Sequence, residues 1–414
     1  MTVPRVLHPF AAPARDAGGY LEIVRGEGCR LWDNEGGSYL DGTASLWYCA
    51  VGHGRTEIND AVSAQMGQIA AYHTFGRFTN TPSRRLAEAL LDLEPIADAR
   101  VLFTNSGSEA IDSALKITRT AHRAAGEAGR TVFLSRHYAY HGVMVGGTSV
   151  GGFPVNRTPF GPLLGDCYQV ARDSLQAMRE AVAYHGPDRI AAIFAEPVIG
   201  AGGVFPPPDG YLAGLRELCN DCGALLIFDE VITAFGRLGS WFATHHYEVA
   251  PDLMTFAKAV TSGYLPLGGV VVGPRVRAVL ESDQDYLLTH GGTYAGHPTC
   301  CAAGLANLEI MRREQLPERA REAGQRLRAG LDQLAGRPGV AGVRGVGLMQ
   351  AVALEAPLTA GGLSEALLAR RVIGRGLPYA NAVAFSPPLI ISDSEIDELV
   401  GAMDEALTEV AAAV

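Results

Sequence analysis

Two hydrophobic periodicities divide the chain. Between residues 20 and 45, short alternating apolar and polar runs are broken by turn residues, as in LEIVRGEGCRLWDNEGGSYLDG, which predicts a small antiparallel sheet. From about residue 55 the period lengthens. Amphipathic stretches such as RTEINDAVSAQMGQIAAY and TPSRRLAEALLDL alternate with short apolar runs, ARVLFTN, TVFLS, IAAIFAEPV, ALLIFDEV, DLMTFA and GGVVVG. Strand and helix alternation of this kind predicts an α/β architecture, a mainly parallel sheet with helices on both faces, placed here in a large domain over residues 55–304. Beyond it, a long charged helix (MRREQLPERAREAGQRLRAGLDQLAG), strands in VRGVGLMQAVALE and AVAFSPPLII, and a final helix from Ser392 predict a smaller α+β domain over residues 305–414. The segment 1–54 is expected to complete that domain. The 50 glycines are scattered through turns and helix starts, with no linker, repeat or low-complexity run.

Composition narrows the function. A formal charge of −10 disfavours a nucleic-acid groove, and no apolar run approaches the roughly 18 residues of a membrane span. The N-terminal MTVPRVLHPFAAPARD has no apolar signal core, so the cytoplasm is the expected compartment and the cysteines are expected to be reduced. Seven cysteines include Cys219-x-x-Cys222 and the adjacent Cys300 and Cys301, with no second pair at ligand spacing, so no metal site is expected. The CxxC reads as small hydrophobes where a helix ends before a strand. There is no G-x-S-x-G, no G-x-x-x-x-G-K and no H-E-x-x-H. The glycine-rich VGGTSVGG lacks dinucleotide spacing and reads as a loop or helix start, and the adjacent His245 and His246 point apart.

Candidate chemistry begins with lysine. The chain has only two, Lys116 and Lys258, against 32 arginines, and Lys258 lies in an uncharged stretch, LMTFAKAVTSGYLPLGG. Arginine stays protonated, whereas a desolvated lysine can lose its proton and attack a carbonyl. Read blandly, Lys258 is a snorkelling stem near a strand end and Lys116 a helix residue. Asp229 ends the apolar strand ALLIFDEV, where open α/β sheets face their ligands, although a helix cap or salt bridge would also place an acid there. An imine-forming lysine with an acid that can hold a pyridine nitrogen protonated is what pyridoxal phosphate requires. In LFTNSGSEAIDSALK, a strand leads through Ser106, Gly107 and Ser108 into a helix, which offers hydroxyls and free N–H groups to a phosphate. Ser106 with Glu109 also fits an ordinary capping box. Tyr140 and His141, before Gly142, follow a strand and can place a ring over a flat cofactor, or simply pack in the core.

In order, NSGSEA, YHG, AEPVIGAGG, FDEVITAFGRLG, FAKAVTSGYLPLGG and HGGTYAGHP resemble the class III (ω-amino-acid) family of pyridoxal-phosphate aminotransferases, from HPF at residue 8 to SPPLII at residue 386. The resemblance implies the fold type I of pyridoxal-phosphate-dependent transferases and a homodimer with active sites at its interface. It also implies an amine donor and a keto-acid acceptor as small-molecule partners. By the same resemblance, Lys258 carries the cofactor and shuttles protons, Asp229 pairs with the pyridine nitrogen, and Tyr140 and Val231 cover the two ring faces. Gly107 and Ser108, beside Ser106, hold the phosphate, Thr293 reaches the partner subunit's phosphate, and Glu196 and His141 sit near the ring.

Departures from the family pattern point to its amine:pyruvate branch. Ile232 stands where many relatives have a glutamine, and Ala201 where γ-aminobutyrate and ornithine enzymes have a glutamate. Trp47 in LWYCAVGHGR and Phe10 in HPF match that branch's substrate pocket, and Gly292 replaces a bulkier residue, which would widen it. The branch's mobile, carboxylate-binding arginine aligns without gaps on Leu377; Arg375, two residues upstream, serves instead if the loop differs in length, and is otherwise a surface arginine. The expected activity is ping-pong transamination from an amine or ω-amino acid to a keto acid such as pyruvate. The rivals are a 7,8-diaminopelargonate aminotransferase using S-adenosylmethionine and a non-catalytic cofactor-binding protein.

Overall fold

A computed structural model describes residues 5–15 and 19–412. Three strands, β1 (Ile23–Glu27), β2 (Arg30–Asp33) and β3 (Ser38–Asp41), form the expected antiparallel N-terminal sheet. The central sheet follows, from β4 (Arg100–Thr104), β5 (Val132–Arg136), β6 (Cys167–Val170), β7 (Ile190–Ala195), β8 (Leu225–Asp229), β9 (Leu253–Phe256) and β10 (Gly268–Val272). Their order is β4-β10-β9-β8-β7-β5-β6, and only β10 runs antiparallel to its neighbours. β6 went unpredicted because CYQV is a half-polar edge strand with no apolar run.

Side-chain alternation in these buried strands sorts the core into two layers. Phe133, Ala192, Phe194, Leu225 and Ile227 pack with Ala110, Ile111 and Ala114 of helix Gly107–Ala124. The intervening Val132, Leu134, Ile193, Leu226 and Phe228 pack with Leu212, Leu215 and Cys219 of helix Tyr211–Cys222 on the other face. Asp229 therefore shares its face with Leu225 and Ile227, on the side of helix Gly107–Ala124.

The C-terminal sheet is antiparallel, ordered β11-β12-β15-β14 from β11 (Val340–Val346), β12 (Met349–Leu354), β14 (Arg375–Leu377) and β15 (Ala382–Phe385). The short β13 (Val372–Ile373) leaves that sheet to pair in parallel with β3, Ile373 opposite Asp41, so the N-terminal sheet is completed by the C-terminal part of the chain. Helix Asp393–Ala412 starts at Ser392, whose side chain and backbone exchange capping bonds with Glu395. No helix among the described residues is long and apolar enough to cross a membrane.

The expected long charged helix is in fact two, Pro298–Arg313 and Leu316–Asp332. Gln315 takes a left-handed conformation (φ 50°) and Pro317 follows without an N–H to continue the helix. The boundary drawn at 304/305 consequently falls inside a continuous helix, which packs against helices Thr56–Gln68 and Thr81–Leu91; the chain turns away only at Gln315.

That helix holds the turn after β9. Lys258 and Ser262 both have positive φ, 47° and 49°, a conformation that costs a non-glycine residue about 1–2 kcal/mol. Asn307, fully buried, donates from Nδ2 to the Ala259 carbonyl (2.8 Å) and the Val260 carbonyl (3.0 Å) and accepts from the Ser262 hydroxyl (2.6 Å). Ser262 in turn accepts from the Val51 N–H (3.2 Å). Asn307→Ala would strand these groups in a dry interior. The expected loss is about 2–3 kcal/mol of unfolding free energy, read as a lower urea midpoint at unchanged slope.

Candidate active site

Parallel strands end together, and the carboxyl ends of β5, β7, β8 and β9 bring one residue each to a common crevice. The pairing of Ala195 with Phe228 and of Asp229 with Thr255 sets Glu196, Asp229 and Lys258 on adjacent strand ends. They line one cavity of about 410 Å³ together with Tyr140, His141 and Val231. His141 Nδ1 lies 2.7 Å from Asp229 Oδ2, while Asp229 Oδ1 accepts from the Val231 N–H (3.1 Å) and the Thr255 hydroxyl (3.2 Å). Three donors thus hold the carboxylate in one orientation. Its neighbour Glu230 points the other way and accepts from the N–H groups of Ala243 (2.6 Å) and Thr244 (3.0 Å), so only one acid of the pair faces the cavity.

Glu196 ties two loops together, accepting from the Tyr140 N–H and the Gly200 N–H, each at 2.9 Å. Burial pushes its carboxyl up from the usual range, partly opposed by His141. Lys258 responds in the opposite sense. Desolvation lowers its amine from the usual 10.5 to about 8, against the attraction of Asp229 and Glu196, and Arg375 lowers it further.

The first turn of helix Gly107–Ala124 closes another side of the cavity. Ser106 caps it by accepting from the Glu109 N–H (3.1 Å), as a capping box predicts. Glu109 departs from that box, reaching one residue further back to the Asn105 N–H (2.8 Å) and side-chain amide (3.0 Å). The N–H groups of Gly107 and Ser108 are left without a protein acceptor at the positive end of the helix. Gly107 has to be glycine, since a Cβ would stand 2.9 Å from Val231 Cγ1.

The N-terminal part of the chain closes a further side at Tyr48, and the C-terminal part packs behind it. Asp41 accepts from the N–H groups of Thr43 and Ser45 and contacts His53, shaping the turn that carries Trp47 and Tyr48. Tyr48, unpredicted, lines the cavity; Trp47 is buried behind it, clustered with Val198 and Ile232, which do line it. Ile232 thus presents an apolar surface. Arg375 lies with its guanidinium 5.1 Å from the Trp47 ring centroid, and its Nε is buried without an acceptor. Burial lowers its ordinary value, partly opposed by Tyr140, and among the described residues no carboxylate lies within ion-pair distance of it. It is no surface arginine. Leu377 is buried in the Trp47 cluster.

Trp47 and Arg375 do not themselves line the cavity, and neither do Phe10, Thr293 and Gly292. Phe10 is 81% exposed at the surface and lines nothing in this chain. Thr293 is exposed and also outside the cavity of its own chain. Gly292 does not widen this chain's cavity, because a Cβ there would collide with Glu109 Oε1. From Tyr140 an aromatic series, Phe153, Tyr379 and Tyr138, runs outward with centroid separations of 6.3, 4.9 and 4.7 Å. Neither Phe153 nor Tyr379 carries a local motif by which sequence could single it out.

The family model for class-III aminotransferases matches residues 12–407. A putrescine–pyruvate aminotransferase of Pseudomonas aeruginosa is 36% identical, the match covering 95% of this chain and 91% of that protein. A beta-alanine–pyruvate aminotransferase of the same species is 35% identical over 94% and 92%. Among solved structures, an amine transaminase from an uncultivated Pseudomonas species, determined with PLP bound, superposes with a TM-score of 0.93 at 37% identity, covering 98% of this chain and 99% of that one.

The Lys258 shift has a definite sign. The folded chain gives up this proton near pH 8 and the unfolded chain near 10.5, so the residue's contribution to stability rises with pH between those values. Its nucleophilicity rises through about 8. Cofactor-free protein mixed with an aromatic aldehyde and trapped by borohydride should label Lys258 at a rate that climbs with pH and levels above about 8; an inflection near 10.5 would contradict the burial argument.

Proposed function

The chain belongs to the class III aminotransferases, and on that premise we propose that it moves an amino group from an amine or ω-amino acid to pyruvate or a similar keto acid by a ping-pong cycle. Its cofactor is pyridoxal phosphate. The observation that carries the residue assignment is the meeting, in one cavity, of a desolvated lysine amine, a carboxylate fixed by three donors, and a helix start with two free N–H groups.

These groups fit the cofactor chemically. The Gly107 and Ser108 N–H groups, beside Ser106, would hold its phosphate, and Asp229, oriented by His141, would keep its ring nitrogen protonated. Tyr140 and Val231 would cover the ring faces, with Glu196 fixing the Tyr140 loop. When bound, the group supplies an aldehyde for imine formation and an electron-withdrawing ring. Lys258 Nζ, neutral over an accessible pH range, takes the proton from the donor's amine-bearing carbon and returns it later in the cycle.

Pyruvate as acceptor is supported by Arg375, a partly buried guanidinium over the Trp47 ring whose Nε has no acceptor among the described residues. A carboxylate would relieve its desolvation. Ile232 and Ala201, apolar where other branches are polar, suit an amine donor without a second charge. A homodimer is supported by one face near Thr293, where Ile69, Tyr72, Phe75, Phe78 and Tyr294 are exposed. Thr74 and Asn80 bond to the carbonyls of Ala295 (3.0 Å) and Gly296 (2.9 Å), which joins this face to the segment that carries Thr293. In a dimer, Thr293 would serve the partner's phosphate, and Phe10 would be covered. The cytoplasm remains the compartment we infer.

The direct test mixes the cofactor-loaded protein with a panel of amines, amino acids and S-adenosylmethionine and follows conversion to pyridoxamine phosphate by absorbance. Simple amines should convert it and pyruvate restore it; a response to S-adenosylmethionine alone would point to the diaminopelargonate reaction instead, and silence to every donor would sink the proposal. Lys258→Ala should lose turnover while retaining cofactor. Arg375→Leu should raise the KM for pyruvate about 10- to 100-fold, the equivalent of one charge-assisted hydrogen bond, and leave the half-reaction with a neutral amine little changed.

A further inference from the structure

Lys116, the second lysine, lies on the helix whose first turn faces the cavity. Its Nζ is 3.0 Å from His290 Nδ1, and His290 Nε2 is 2.8 Å from Ser113 Oγ. An ammonium only donates, so Nδ1 accepts and Nε2–H donates to the serine. This is the reverse of a nucleophilic serine–histidine pair, and the contact is one of anchoring. Burial, with help from Lys116, holds His290 below its usual range, in the neutral form this arrangement needs.

Two turns nearer the helix start, Glu109 meets the same segment. Gly292 packs so closely on Glu109 Oε1 that a side chain there would collide, while Glu109 Oε2 holds Asn105 beside the cavity. Positions 109, 113 and 116 share one helix face. The strap His290–Gly292 is therefore laid along that face, gripped at one end by Lys116 and Ser113 and seated at the other on Glu109. Gly291 and Gly292 have no side chains with which to anchor themselves, and Thr293 follows immediately, exposed and away from its own cavity.

We propose that Lys116 and His290 are positioning residues that fix this strap so that Thr293 reaches the cofactor phosphate in the partner subunit, an inference that rests on the reading of Thr293 given above. One helix then serves two sites. Its first turn receives the phosphate of its own subunit, and its flank, through the strap, delivers the threonine that completes the other.

The test is cofactor affinity, measured by titrating pyridoxal phosphate into the cofactor-free, full-length protein and following absorbance, for Lys116→Met, His290→Ala, Thr293→Ala and the double variant Lys116→Met/Thr293→Ala. Each single change should weaken binding about tenfold, and the double variant should bind no more weakly than Thr293→Ala alone, since Lys116 acts only through the strap. Lys116→Gln serves as a milder substitute should the methionine variant fold poorly. Normal affinity in the Lys116 or His290 variants, or losses that add in the double variant, would overturn the proposal. Normal affinity in Thr293→Ala would overturn the partner-phosphate reading as well, which separates the two failures.

Discussion

Desolvation of one amine governs the arrangement of this molecule's interior. Lys258 sits within reach of two carboxylates, Asp229 and Glu196, whose attraction would keep it protonated; burial outweighs them and brings the amine down to about 8. That outcome requires the turn after β9 to stay closed. It is built from left-handed residues that would relax if released, and Asn307 restrains them from a helix that begins 40 residues later. The strained turn, the buried amide and the shifted amine are three aspects of one constraint.

The same low-dielectric surroundings explain how the acids are handled. Two adjacent acids close a fully buried strand, Asp229 as its last residue and Glu230 just after it, and alternation sends them to opposite sides. Burial raises Glu230 to about 7, opposed by the backbone donors of Ala243 and Thr244, which stabilise its charge. Asp229 instead keeps one oxygen on His141 and the other on Val231 and Thr255. So restrained, the carboxylate makes no ion pair with Lys258 among the described residues. Fixing Asp229 therefore also keeps Lys258 free of a close ion pair, and a close ion pair would hold its proton on.

Much of this was legible in the chain because it depends on local pattern. Fully buried strands read as apolar runs, and an acid or lysine at the end of such a run stands out against them, which is why Asp229 and Lys258 emerged without a structure. The SGS turn was legible as strand followed by cap. What was hidden depends on contacts across long separations. Asn307 sits in PTCCAAGLANLEIMRR as one polar residue among helix formers, and nothing local says that it faces a turn near residue 260. Lys116 likewise reads as a helix residue until His290 is brought against it. The close approach of Gly292 to Glu109, distant in the chain, is equally invisible in the local sequence. Phe10 is exposed in this chain, and nothing local in HPF says what would pack on it.

Arg375 shows how a strand tolerates a shifted residue. The family's carboxylate-binding position aligns on Leu377, two residues away, and a difference of two is the one small shift that keeps a strand residue on the same face. In β14 both side chains turn toward Trp47, Leu377 packed in its cluster and Arg375 with its guanidinium over the ring. A displacement by one would have sent the arginine to the other face of the sheet. The pairing of Ile373 with Asp41 supports the placement, because it fixes the start of β14 against the very turn that Asp41 organises around Trp47. That pairing, together with the pairing of Arg375 with Ala384 in β15, holds the cation beside the Trp47 ring, with its buried Nε lacking an acceptor among the described residues.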